Sequence, residues 1–227
     1  QSSTIGGQLN LAAKVPGKEE FKEFLRYIKQ TLEQSTVELH LGQSPSYKQL
    51  SEFDEVIIAT GTKPRNLGIP GANHTNVVRY QDVIEENAKV GEKVVVIGTG
   101  GIAFDLVAKL TSTNTKSWSL LEKQQDFAAH WGIDYSNQVN GGLISPADKS
   151  ENSKQITMLQ RKVRKPGAGL GKTTVWIHRK EFKRRGVKTL SLVNYVGISD
   201  AGLKLDIRGE NTVLEADSIV VCAGQQS

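Results

Sequence analysis

KVVVIGTGGIAFD, running from Lys93 to Asp105, decides the fold class. Lys93–Gly98 is a nearly continuous apolar run, the mark of a strand covered on both faces. Apolar residues then recur at Ile102, Leu106 and Leu110, which is helical spacing. Between strand and helix stand Gly98, Gly100 and Ala103, a G-x-G-x-x-A pattern. In a dinucleotide-binding unit Gly98 allows the tight turn and Gly100 admits a pyrophosphate close to the backbone. Ala103 lets helix and strand pack closely. The helix start offers free N–H groups and the positive end of its dipole to phosphates. The plainer reading is a strand-to-helix turn that needs glycine only for packing.

Working outward, Gln155–Gln160 (QITMLQ) predicts the next buried strand. An NAD site usually carries Asp or Glu at the end of this strand, on the ribose hydroxyls. Here Arg161, Lys162, Arg164 and Lys165 follow. Cations there suit a 2′-phosphate, so the pattern favours NADPH over NADH, with Arg161 and Lys162 carrying the phosphate. A solvated basic loop is the alternative. The chain ends in a third buried run, Ser218–Ala223. Its SIVVCAG (218–224) echoes an earlier EVIIATG (55–61).

The remaining elements follow from spacing. Residues 18–34 predict an amphipathic helix, Val37–Leu41 a strand, and Glu55–Thr60 a strand buried on both faces. Gly61–Gly71 is a Gly- and Pro-bearing loop, a candidate domain boundary or hinge. Residues 111–154 lack periodicity but hold Trp118 and Trp131, which predicts an insertion with some packed structure. Lys172–Arg185 predicts a helix with Val175, Trp176 and Phe182 inward, closed by Gly186. Short strands are expected near 187–198, 203–208 and 211–215. Strands alternating with helices place the chain in the α/β class, around a central parallel sheet.

Composition narrows the function. The 227 residues are 37% hydrophobic, 23% charged and 6% aromatic, which fits a globular protein and excludes collagen and bulk disorder. The net charge of +5 is too mild to predict a nucleic-acid partner. Cys222 has no partner for a disulfide within the chain, which suits a reducing compartment and predicts a cytoplasmic protein. Set in an apolar run, it reads as an inert core thiol. His40, His74, His130 and His178 are scattered, so no metal site is expected. No apolar run approaches the roughly 18 residues of a membrane span, and no secretory leader pattern opens the chain. The start QSSTIGG, without Met, predicts a piece of something longer.

GAGLGKTT (167–174) looks like a phosphate loop, but that pattern wants glycine at 166 and Pro166 stands there. A role for this turn beside the cofactor stays open. The basic run 178–186 reads as a solvated helix face. No nucleophile–base–acid set can be assigned from spacing, so no catalytic residue is named.

Seven segments together carry a resemblance: IGGQLNLA (5–12), PGKEEF (16–21), VIIATGTKPR (56–65), VVVIGTGGIAFD (94–105), MLQRK (158–162), GLGKTTVWIHR (169–179) and VVCAGQ (220–225). The chain resembles the C-terminal half of the bacterial NADPH-dependent 2,4-dienoyl-CoA reductases. These are barrel flavoproteins related to trimethylamine dehydrogenase. ATGxxPR is shared by many two-dinucleotide flavoproteins, whereas GGIAFD, LQRK and GKTTxWIHR are more specific.

The resemblance implies an FMN-bearing TIM barrel with the substrate site, a 4Fe-4S cluster, and FAD- and NADPH-binding domains. Hydride would pass from NADPH to FAD, and electrons singly through the cluster to FMN, which reduces the dienoyl-CoA in fatty-acid β-oxidation. It implies a partial FAD-binding domain over 1–85 and an NADPH-binding domain over 86–227. Gly6, Gly7 and Gln8 fall beside FAD, as do Thr60, Gly61 and Arg65. Gly98, Gly100, Gly101 and Ile102 fall on the NADPH phosphate turn. Arg161 and Lys162 fall at the 2′-phosphate, and Ala223 and Gly224 near the nicotinamide. The barrel and cluster cysteines have no counterpart here, and Ala103 stands where the family often has glycine.

The expected partners are NADPH and the barrel of the same polypeptide, with neither nucleic acid nor membrane. The isolated piece is expected to be inactive toward dienoyl-CoA. Two alternatives stay open: a barrel flavoprotein acting on amines or enones, and a non-catalytic NADPH-binding module.

Overall fold

The computed structural model describes residues 2–112, 118–145 and 153–226. The first helices are α1 (Gln8–Ala12), α2 (Phe21–Glu33) and α3 (Tyr47–Leu50). Then come β1 (Lys63–Pro64), β2 (Val77–Arg79), α4 (Tyr80–Ile84), β3 (Lys93–Ile97), α5 (Gly101–Thr111) and α6 (Leu120–Trp131). They are followed by β4 (Gln155–Gln160), α7 (Val175–Arg184), β5 (Lys188–Ser191) and β6 (Val193–Ser199). The last strands are β7 (Gly202–Ile207), β8 (Glu210–Leu214), β9 (Ser218–Val221) and β10 (Gln225–Gln226).

The central sheet has the order β2-β9-β3-β4-β5, and every pair in it is parallel. Its register follows from the strands' two-sided apolar character. Along β3, Val94 and Val96 face one core while Val95 and Ile97 face another. This is the period-two alternation of a pleated strand. The first core packs α5 and α7 on the sheet through Phe104, Leu106, Val107, Val175 and Phe182. The second packs the antiparallel sheet β6-β7-β8 on the opposite face through Val193, Leu203 and Leu205. The result is three layers: helices, parallel sheet, antiparallel sheet. The short strands expected between 187 and 215 are present: β6–β8 form the antiparallel sheet, and β5 joins the parallel one.

Helix α6 occupies part of the segment read as an insertion. It begins at a capping box between Ser119 and Glu122 and stops at Gly132, whose backbone is left-handed. Trp131 packs under Lys180 and Arg184 of α7. Parts of the predicted insertion, residues 113–117 and 146–152, lie outside the described residues.

Three expectations are corrected. Val37–Leu41 is not a strand, and Val37, Leu39 and Leu41 are exposed. Glu55–Thr60 is not a strand either, and Ile57 is 92% exposed. Both segments have strand-like sequences, but among the described residues no strand lies beside them to complete a ladder. A strand's N–H and C=O groups then keep water as their partner. Trp176 points outward, because its position at the start of α7 turns the indole back to donate to the Thr173 carbonyl.

Residues before β2 touch the sheet domain at a few points. Val15 enters the helix-side core, and Lys18 pairs with Asp105 of α5 at 2.7 Å. β1 pairs with β10, and the Arg65 amide donates to the Gly224 carbonyl.

Candidate functional site

The crevice of a parallel sheet opens at the carboxyl ends of its strands, where the chain order reverses. Here that point lies at β3, with β9 on one side and β4 on the other. Gly98, leaving β3, has φ +123°, and a Cβ there would lie 2.5 Å from the Cys222 carbonyl oxygen. Only glycine fits between the ends of β3 and β9. Gly100 is the N-cap of α5 and has open space above it: a Cβ would meet nothing within 4 Å. No side chain caps this helix. The first N–H groups of α5 therefore point into the cleft without an intrahelical partner, as an anion requires.

The cleft has a volume of about 540 Å³. Gly98, Gly100, Gly101, Ile102, Arg161, Lys162, Ala223 and Gly224 all line it. These expected residues, scattered over more than a hundred positions, meet in one place. Arg164 adds a third cation, and among the described residues no Asp or Glu lines the cleft. Two larger hollows, along α2 and at the amino ends of β3 and β4, do not touch the glycine turn.

The other expected residues lie apart from this cleft. Gly7, Gln8, Thr60 and Gly61 are exposed, on the side of residues 1–85. Gln8 donates to Thr62 Oγ1 at 3.0 Å, and Thr62 donates to Gln225 at 2.9 Å. This chain of hydrogen bonds ties the glycine-bearing start to the end of the sheet domain. Arg65 lines a side hollow of about 170 Å³ together with Arg161, Asn194 and Tyr195. The structure thus sets Arg65 beside an expected nucleotide-phosphate cation.

Sequence reasoning missed several lining residues. Ala168, Gly169 and Leu170 belong to the phosphate-loop look-alike, whose role beside the cofactor the sequence left open, and they line the cleft. Tyr195 arrives from the antiparallel sheet, and no local signal marks it. Burial pushes its phenol up to about 12, against the opposing charge of Arg161. Gln160 was findable, since it ends the strand where the fingerprint usually places an acid. Burial likewise pushes the Cys222 thiol up to about 12, so it is neutral and inert at ordinary pH. Among the described residues, no group of three His, Cys, Asp or Glu is placed to hold a metal. Among the same residues, no helix is long and apolar enough to cross a membrane.

An uncapped helix after a glycine turn, at the switch point of a parallel sheet, defines a dinucleotide-binding α/β domain. The chain belongs to the pyridine nucleotide-disulphide oxidoreductase family, whose model matches residues 7–227. Membership of this family implies binding of FAD and a nicotinamide nucleotide. The chain holds one cysteine, so no disulphide bond can form within it.

A metal reductase of Desulforamulus reducens is 26% identical over 233 residues, covering 100% of this chain and 33% of the relative. A cinnamate reductase of Clostridium sporogenes is 27% identical over 225 residues, covering 98% of this chain and 28% of the relative. This chain therefore spans a third or less of the length of these relatives. In fold it matches 2-naphthoyl-CoA reductase, with TM-score 0.70 and 22% identity over 99% of this chain and 28% of that one.

Proposed function

We propose that this chain is the NADPH-docking part of a larger flavin-dependent reductase, and that the whole enzyme reduces 2,4-dienoyl-CoA. In this reading residues 1–85 form part of an FAD-binding domain and residues 86–227 the NADPH-binding domain. The rest of the polypeptide completes the FAD site and carries the barrel, FMN and the 4Fe-4S cluster. The enzyme works in the cytoplasm, with neither nucleic acid nor membrane as partner.

One observation carries the NADPH reading. Arg161 and Lys162 line the cleft that holds the glycine turn, and no carboxylate lines it among the described residues. A 2′-phosphate there gains charge-assisted hydrogen bonds and meets no repulsion. The dienoyl-CoA reading is supported by the GGIAFD, LQRK and GKTTVWIHR segments and by the cinnamate reductase relative.

Bound in the cleft, NADPH supplies a hydride for a flavin. The α5 N–H groups hold the pyrophosphate, and Gly100 lets it reach the backbone. Arg161 and Lys162 select the 2′-phosphate. Ala223 and Gly224 border the end expected for the nicotinamide. This chain positions the donor, and the cofactors carry the chemistry.

Calorimetric titration with NADPH and NADH tests the docking step, repeated on Arg161→Ala/Lys162→Ala. NADPH should bind at least about tenfold tighter than NADH, and the double variant should remove that preference. Equal affinities in the wild-type chain would reject the NADPH reading. Turnover assays of the full-length enzyme with 2,4-dienoyl-CoA, amines and enones test the rest. Activity on amines or enones alone would reject the dienoyl-CoA reading. A full-length protein that binds NADPH but holds no flavin would favour a non-catalytic module, whereas bound flavin would argue against one.

A further inference from the structure

Gln160 ends β4 with a side chain that is almost fully enclosed, at 6% exposure. Its amide turns inward and makes three hydrogen bonds. Oε1 accepts from Thr99 Oγ1 at 2.5 Å. Nε2 donates to the Arg164 carbonyl and to Ser191 Oγ, the latter at 2.8 Å. A carbonyl can only accept, so the Arg164 contact fixes which end of the amide faces it. Thr99 is the variable residue of the glycine turn, between Gly98 and Gly100. Its own carbonyl accepts from the Gly167 amide at 2.9 Å.

These bonds connect three pieces that the sequence keeps apart: the glycine turn, the basic loop 161–165, and β5. The loop is held near its end by Gln160, through the Arg164 carbonyl. Just beyond it, Gly167 is held by Thr99, and Arg179 of α7 holds the Pro166 carbonyl at 2.7 Å. Arg161 and Lys162 are exposed. Two flexible exposed cations select a phosphate well only if their backbone is already placed. The brace supplies that placement.

We infer that Gln160 and Thr99 are positioning residues that set the preference for NADPH, by bracing the basic loop against the glycine turn. The inference rests on the NADPH reading above. A carboxylate at 160 could not replace the amide, because it would present lone pairs to the Arg164 carbonyl. It would also bring a negative charge to the phosphate wall. The neutral amide does two things at once: it removes the acid expected at a strand end of this kind, and it donates where the acid cannot.

The test compares dissociation constants for NADPH and NADH in the wild-type chain, Gln160→Leu, Thr99→Val and Thr99→Ser. A general loss of folding would weaken both nucleotides alike, so the ratio is the informative quantity. In Gln160→Leu and Thr99→Val the preference should fall by about tenfold, mostly through weaker NADPH binding. Thr99→Ser keeps the hydroxyl and should retain the wild-type ratio. Amide hydrogen exchange gives an independent readout: Gly167 should lose protection in both damaging variants. Thr99→Val covers the case in which Gln160→Leu fails to fold. A wild-type ratio retained in Thr99→Val, while Arg161→Ala/Lys162→Ala abolishes it, would overturn the brace and leave the NADPH reading standing. Equal wild-type affinities would overturn both.

Discussion

EVIIATG at 55–61 and SIVVCAG at 218–224 are near copies in pattern, yet they end in opposite states. The second contains β9, set between β2 and β3, with Ile219 and Val220 at 0% exposure. The first forms no strand and leaves Ile57 and Ile58 at 92% and 80% exposed. Apolar β-branched residues create a demand for a sheet without supplying it. Strand formation depends on neighbours that offer a ladder and on layers that cover both faces.

The sharpest way to break the comparison is one charge at equivalent positions. Val220→Asp buries a carboxylate without a partner and should cost about 4 kcal/mol or more. Ile57→Asp should change stability by no more than about 0.5 kcal/mol. Urea unfolding followed by circular dichroism measures both. Comparable losses would mean that residues 55–60 are packed in solution.

The glycine turns give the next largest contrast. Gly98→Ala drives a Cβ against the Cys222 carbonyl and should cost about 3 kcal/mol. Gly61 also has positive φ, at +76°, but open space around it. Gly61→Ala should cost only about 1 kcal/mol, from the backbone conformation alone. Melting temperatures of the two variants decide whether close approach, rather than φ, makes Gly98 irreplaceable.

Thiol chemistry sharpens the same pairing. Cys222 aligns with Ala59 in the two repeats. Its pKa of about 12 and its burial should leave it unmodified by an aromatic disulfide reagent at pH 8. A cysteine introduced as Ala59→Cys, in a Cys222→Ala background, should react at least about a hundredfold faster. Equal rates would mean that the β9 end opens as easily as the exposed segment.

The smallest effect concerns charge. In α2 the Arg26–Glu23 pair lies on the surface. In α7 burial pushes Glu181 up, but Arg185 and His130 outweigh it and hold the carboxyl below its ordinary 4.5. A depressed carboxyl contributes stability that is full above the ordinary value and lost as pH falls through the lower folded value. Glu181→Gln should therefore flatten the acid limb of the stability curve below about pH 4.5. Unfolding midpoints measured from pH 3 to 7 check this.

Much of the cleft was legible along the chain. Gly98, Gly100 and Ala103 lie within one turn, and Arg161 and Lys162 follow directly on a strand. Local order therefore carried their meaning. Thr99, Gln160 and Tyr195 were not singled out. Thr99 and Gln160 act through hydrogen bonds across 61 positions. Tyr195 belongs to another sheet. The phosphate-loop look-alike failed its own pattern, but the fold placed Ala168–Leu170 on the cleft wall. Arg65 was read on the flavin side alone, and the β1–β10 pairing brings it beside Arg161.

By itself, the sequence determined the α/β class, the strand–glycine–helix unit and the cations that follow the second strand. These are set by side-chain period, by the sterics of one turn and by charge, all of which act over a few residues. Only the tertiary structure decided which apolar runs became strands, which scattered residues share the cleft, and how Gln160 braces it. Those outcomes depend on ladders, layers and hydrogen bonds between distant parts of the chain, and no local pattern contains them.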